Sequence, residues 1–171
     1  MKYKFTPLDF YNYIILHDLR LSEYNAIADD FFQFHNAEIA LPYRNDLSLL
    51  KREINHIKIC NTVVTRELDE VAVILNELHI KYKFAPQKED YLFADYFKMM
   101  KLQLLYSKVA YKKVKLRTIL AKLGYTRRNE QVRKDMSNAI KQLGLQPCLS
   151  RQLECDITAV PLDSIISFRL K

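Results

Sequence analysis

Leu120-Ala-Lys-Leu-Gly-Tyr-Thr-Arg-Arg128, followed further on by Ile140-Lys-Gln-Leu-Gly-Leu145, is the stretch on which the reading of this 171-residue chain turns. Gly124 and Gly144 are its only two glycines, and each directly follows a leucine. Glycine reaches the left-handed backbone region at little cost, so it commonly ends a helix one residue past the last turn. The pattern predicts a short helix over Arg117–Leu123, a tight turn at Gly124-Tyr125-Thr126, and a longer helix from Arg127 or Asn129 to Leu143. In the longer helix Val132, Met136, Ala139, Ile140 and Leu143 recur at helical spacing and form one apolar face.

Working outward, Val114-Lys115-Leu116 is short enough for an edge strand. Downstream, Leu153–Ala159 and Ser164–Leu170 read as two strands around a turn at Val160-Pro161-Leu162-Asp163, whose proline and aspartate suit it. Ile157 and Ala159, then Ile165, Ser167 and Arg169, carry the alternation. Gln146–Gln152, with Pro147, reads as a loop.

Strand, helix, tight turn, longer helix and a two-stranded wing is an order that resembles the winged helix-turn-helix superfamily, over about residues 114–170. The carrying residues are the turn Leu120–Arg128, the helix end Ile140–Leu145 and the hairpin around Pro161-Leu162-Asp163. The resemblance implies a C-terminal α+β module that binds nucleic acid through its longer helix. Similar modules occur in transcription regulators and in accessory proteins of mobile elements and restriction-type systems.

Charge points the same way. Residues 108–134 hold ten basic side chains and one acid, a net of +9, whereas residues 1–107 carry a net of −2 and residues 135–171 a net of zero. A positive field concentrated in one segment attracts polyanions. Within it Arg127, Gln131, Lys134, Asn138 and Lys141 fall at i, i+4, i+7, i+11 and i+14, a stripe opposite the apolar face in which every member can donate hydrogen bonds. Arg reads guanine, and Asn or Gln reads adenine, through paired contacts in the major groove, while Lys meets phosphate. Arg128 lies at the end of the helix that usually reaches base edges. Lys112, Lys113, Lys115, Arg117 and Lys122 would supply further phosphate contacts. Tyr106, Tyr111 and Tyr125 lie in or beside this segment and could stack on bases, although packing roles suit them as well. Duplex DNA is the expected ligand; an adaptor or inhibitor subunit docking on an acidic protein surface is the alternative.

The first half reads as a helical bundle over residues 1–86. Thr6-Pro7 opens a helix to about Leu19, Ser22 caps a second through Phe34, and Ala37–Arg44 is a connection. Asp46 opens a third with Leu50, Ile54, Ile57 and Val64, and Thr65 precedes a fourth carrying Leu68 to Leu78. Residues 87–171 then hold a long helix, roughly 88–112, followed by the wing-bearing module. Phe93, Phe97, Met100 and Leu104 form one stripe of the long helix; Leu92, Tyr96, Met99, Tyr106 and Val109 form another. Apolar surface on two sides suggests burial against another chain, so a homodimer or a place in a heteromeric complex is expected. The fold class is mainly α with a small β-hairpin.

Several chemistries lack their residues. Two glycines admit neither a phosphate-binding loop nor a dinucleotide fingerprint. His56 and Cys60 form a single i, i+4 pair with no second pair to complete a metal site, so no metal or cofactor is expected. Arg52-Glu53-Ile54-Asn55-His56 resembles, one residue short, the Arg…His motif of helical HEPN ribonucleases, a distant third reading. Glu154 and Asp156 have no acidic or Lys partner that would make a nuclease site. The chain is therefore read as a binding protein, not an enzyme. Cys60, Cys148 and Cys155 are odd in number and lack paired spacing, which fits a cytoplasmic, reducing setting. No apolar run is long enough to span a bilayer.

Overall fold

The computed structural model describes residues 2–64, 89–149 and 154–171. The chain is mainly α with one small antiparallel sheet, and it divides into two compact units, Tyr3–Gln87 and Lys88–Lys171.

The first unit holds α1 (Pro7–His17), α2 (Leu21–His35) and α3 (Leu47–Val64). Thr6 caps α1: its amide and its hydroxyl both donate to the Asp9 carboxylate, at 2.8 and 2.9 Å, with Pro7 at the first helical position where a missing N–H costs nothing. The helix stops at His17, short of Leu19, because Asp18 takes the left-handed conformation at φ 49°. Helix α2 starts one residue before the expected Ser22 cap. Glu23 accepts the Arg20 amide at 2.6 Å and so closes the first turn from inside the helix, leaving Ser22 no capping role. Asp46 caps α3 as expected, accepting the Leu49 amide at 2.9 Å. Leu50, Ile54 and Ile57 turn one face of α3 into the core, where it packs on α1 and α2. Phe5, Phe10 and Phe31 complete that core, with the Phe5 and Phe31 rings 4.7 Å apart. The expected fourth helix from Thr65 and the boundary at Lys81–Lys88 lie outside the described residues.

The second unit runs α4 (Glu89–Tyr106), β1 (Lys112–Lys115), α5 (Leu116–Lys122), α6 (Glu130–Gln142), β2 (Leu145–Cys148) and β3 (Ile165–Leu170). The long helix ends at Tyr106, not near residue 112. Ser107 donates from both its amide and its hydroxyl to the Gln103 carbonyl, which closes the last turn, and Lys112–Lys115 are drawn instead into pairing with β3. Phe93, Phe97, Met100 and Leu104 are buried as their spacing requires, while Val109 is exposed. The Phe97 ring meets Phe168 of β3 at 5.5 Å.

Both glycines act as helix stops. Gly124, at φ 80°, follows α5, and the Tyr125 amide reaches back to the Leu120 carbonyl at 2.9 Å. Gly144, at φ 65°, follows α6 and feeds straight into β2. The strand order is β1-β3-β2, both pairs antiparallel, with Val114 opposite Ile166 and Pro147 opposite Phe168.

The sheet differs from expectation in its third strand. The second partner of β3 is Leu145–Cys148, most of which (from Gln146) the sequence suggested was loop, whereas among the described residues of the expected strand Leu153–Ala159 only Glu154 makes a bridge, to Cys148. The reason lies in Asp156, whose carboxylate accepts both the amide and the hydroxyl of Thr158, at 2.9 and 2.7 Å. That local bonding holds 156–160 in a turn, which competes with extension into a strand. Pro147 is tolerated because β2 is an edge strand. Its carbonyl faces away from β3 and accepts the Cys155 amide at 3.0 Å, so its nitrogen, with no hydrogen to give, also lies off the ladder. In β3 the buried residues are Ile166 and Phe168, the opposite parity to the expected Ile165, Ser167 and Arg169.

Candidate nucleic-acid interface

Helix α6 presents its two faces as its spacing demands. Val132, Met136, Ala139 and Ile140 are buried, and the opposite stripe of Arg127, Gln131, Lys134, Asn138 and Lys141 is exposed along its whole length. Asn129 fixes where the helix begins: its side-chain carbonyl accepts the Val132 amide at 2.8 Å. Arg127 therefore sits just before the helix and the other four along it. Glu130, in the first turn, complements the positive end of the helix dipole.

The structure sorts these residues, and the supporting cations, into two groups. Lys113, Lys115, Lys122, Arg127, Lys134 and Lys141 are exposed, and none makes an ion pair with a described residue. Lys113 lies 5.3 Å from the centre of the Tyr111 ring, itself exposed. Asn138 is exposed as well.

The second group is engaged within the unit. Arg128 is half-buried, and its Nη1 donates to the carbonyls of Ile157 and Val160 at 2.9 and 2.7 Å. It thereby fastens the turn before α6 to the 156–160 turn between β2 and β3. Burial pulls its pKa below the usual arginine value, and Arg133 nearby adds to that, against a smaller opposite effect of Asp156. Arg117 grips Asp163 with two parallel bonds of 2.8 and 2.9 Å. That pair raises the arginine pKa and lowers the aspartate's, and it joins the start of α5 to the turn preceding β3. Lys112 is bonded to Gln103; burial, with a lesser contribution from Lys122, lowers its pKa. Gln131 donates its amide to both oxygens of Asp135, each at 2.9 Å.

Residues off the stripe complete the picture. Arg133, at neither end of the i, i+4 series, is exposed on the flank of α6 and close enough to Arg128 to act on it. Its signal in the sequence is only that it adjoins Lys134. Tyr125 is not an open stacking surface, since its ring lies on Phe93 at 5.4 Å and 14°. Arg169 is turned to Cys148, with Nη2 3.2 Å from the sulfur, and Lys171 is 3.7 Å from Glu154.

The other constellations scatter. His56 is exposed and Cys60 buried, so the pair does not face a common site, and among the described residues no cluster could hold a metal ion. Arg52 and His56 share an exposed face of α3 and line an open concavity with Glu53, Asn55 and Ile59. Glu154 and Asp156 serve the β2–β3 connection, the first bonded to Gln146 at 3.1 Å and the second to Thr158. Among the described residues no helix is long and apolar enough to cross a membrane. No protein-family model matches the chain, and comparison with curated proteins and with solved structures likewise gives no match.

Proposed function

We propose that residues 89–171 act as a winged-helix module that binds duplex DNA, and that the chain is an accessory or regulatory protein without catalytic chemistry. The observation that carries this reading is the α6 stripe. Arg127, Lys134, Asn138 and Lys141 stand in the open, and no acid of the described residues neutralises the three cations. Glu130 lies one turn from Lys134, but no ion pair among the described residues joins them, and Lys141 has only Ser137 and Asn138 one turn back. The order helix, strand, helix, helix, strand, strand and the strand order β1-β3-β2 support the same reading. In it α6 enters the major groove by its N-terminal end, and Lys113, Lys115 and Lys122 meet the phosphates alongside.

Titration of a labelled duplex at several salt concentrations tests the reading. The six exposed cations set the expectation: at about 0.9 per neutralised phosphate, log K falls against log salt with a slope near −5. Lys113→Ala or Lys115→Ala flattens that slope by about 0.9 whatever the sequence, whereas Arg127→Ala weakens a preferred site more than random DNA. No binding at about 50 mM salt and micromolar protein sinks the DNA reading. Retention by an acidic protein surface under the same conditions favours the adaptor instead.

A further inference from the structure

Tyr111 stands immediately before β1, and its side chain is 53 % exposed. Of the three tyrosines in or beside the basic segment it is the open one: Tyr125 is stacked on Phe93, and Tyr106 is half-buried. Alternate residues of an extended chain share a face, so Tyr111, Lys113 and Lys115 fall on one side at intervals of about 7 Å. The pairing with β3 shows which side that is. Lys112 and Val114 lie opposite the buried Phe168 and Ile166, whereas Lys113 and Lys115 lie opposite Ser167 and Ile165, on the outward face. Ile165 is exposed as well, so apolar surface continues beside the lysines. The Lys113 ammonium sits over the Tyr111 ring, 5.3 Å from its centre. No acid stands between Asp95 and Glu130 in the sequence. Asp163 is near enough to Lys115 for its pKa to be lowered by it, but both oxygens of that carboxylate are held by Arg117.

An exposed ring with cations at its side is the complement of a nucleotide, which carries a flat base and an anionic phosphate on one sugar. A continuous duplex makes no use of the ring, because its bases are paired within the stack and show only their edges in the grooves. An unpaired base has a free face. Stacking of such faces on aromatic side chains, beside a positively charged track for the backbone, holds single strands with little regard to sequence. We infer that the outward face of β1 seats an unpaired strand continuing from the bound duplex. Lys115 and Lys113 hold phosphates at the margin of the duplex, and Tyr111 stacks on a base beyond them. The ligand is then a duplex that ends or is interrupted beside the protein. The inference rests on the duplex-DNA reading above and adds the unpaired strand to its ligand.

Affinity measurements on a set of related ligands test it: a duplex alone, the duplex with a single-stranded tail, the same tail built of abasic nucleotides, and the tail strand by itself. The abasic tail keeps every phosphate and removes the bases, so charge cancels from the comparison. With the tail in one of the two strand directions, the native protein is expected to bind the base-bearing form about five- to 150-fold tighter than the abasic one, the range of one base stacked on an aromatic ring. Tyr111→Ala makes the two tails equal and leaves the affinity for the duplex alone unchanged. Tyr111→Phe keeps the ring and with it the preference. Equal binding of both tails by the native protein, in both strand directions, overturns the inference. So does a preference that survives Tyr111→Ala or is lost in Tyr111→Phe, and so does weaker binding of the duplex alone by Tyr111→Ala. Absence of duplex binding at low salt, with Tyr111-dependent binding of the tail strand by itself, removes the duplex reading and leaves the stacking seat standing. Absence of binding to every ligand of the set removes both.

Discussion

Arg128→Met keeps the length of the side-chain stem and deletes its donors, leaving the carbonyls of Ile157 and Val160 without their partner. Both residues are buried, and the two bonds measure 2.9 and 2.7 Å. A hydrogen bond from a charged donor contributes about 1.5–3 kcal/mol, but the guanidinium gives up hydration to make these two, so the net loss is about 2–3 kcal/mol. The loss falls on the second unit, and a whole-chain melt would mix it with the first. Amide hydrogen exchange in β3 isolates it, since those amides report the opening of their own unit. At about 1.4 kcal/mol per tenfold, exchange should quicken by about 30- to 150-fold. The same variant separates two roles for this residue. As a fastener between turns, Arg128 contributes nothing to counterion release, so the salt slope of DNA binding stays where it was. Unchanged exchange in β3 together with a slope flattened by about 0.9 would show that Arg128 contacts phosphate and that its carbonyl bonds are incidental.

Asn129→Ala removes the cap on α6 and should destabilise the second unit by about 1 kcal/mol, read as faster exchange of the first-turn amides. Asp163 and Asp156 both have pKa values below the ordinary carboxylate range, the first through Arg117 and the second through Thr158. A depressed folded-state pKa means stability fully present above the unfolded value and lost as pH falls through the folded one. Stability of the second unit should accordingly begin to fall as pH drops through the ordinary carboxylate range and keep falling below it, and Asp163→Asn should remove part of that decline. His56→Ala and Arg52→Ala should leave RNA intact or cleaved to the same extent as the native protein does. Metal-independent cleavage abolished by either substitution would establish the ribonuclease reading in place of ours.

The helix ends were legible where a capping or stopping residue of the usual kind marked them, and were misread where Glu23 closed α2 from inside, Asp18 ended α1 and Ser107 ended α4. Asn129, Gly124, Gly144, Asp46 and Thr6 each act within four residues of the backbone they cap or end, so their effect could be read directly. Strand β2 was not legible because four residues containing a proline look like a loop until the partner is known, and that partner is β3, some twenty residues on. The stretch through Ala159 misled for the converse reason: its alternation was real, but the Asp156–Thr158 bonds outcompete it. The candidate site divides the same way. Stripe and charge were visible from spacing, whereas the partners of Arg117 and Arg128 lie 46 and 29 to 32 residues away, and no periodicity announces them. The Gln131–Asp135 pair was within reach, being i, i+4 on one helix. It was passed over because Asp135 lies beside the stripe and not in it.

The basic segment has a second consequence, for the sheet rather than for a ligand. Strands β1 and β2 are its two edges. Exposed strand edges invite another chain to add on, and proteins commonly guard them with lysine or proline. Strand β1 is Lys112-Lys113-Val114-Lys115, so a matching strand from a second copy would meet like charges along almost its whole length. On the other side Pro147 offers no N–H outward, and its carbonyl already accepts the Cys155 amide. Both margins of the sheet are thus guarded against extension, one by lysines and the other by a proline and a covering turn. A homodimer of this chain is expected to form through helices. Amides of β1 or β2 that gain protection only at high protein concentration would contradict this.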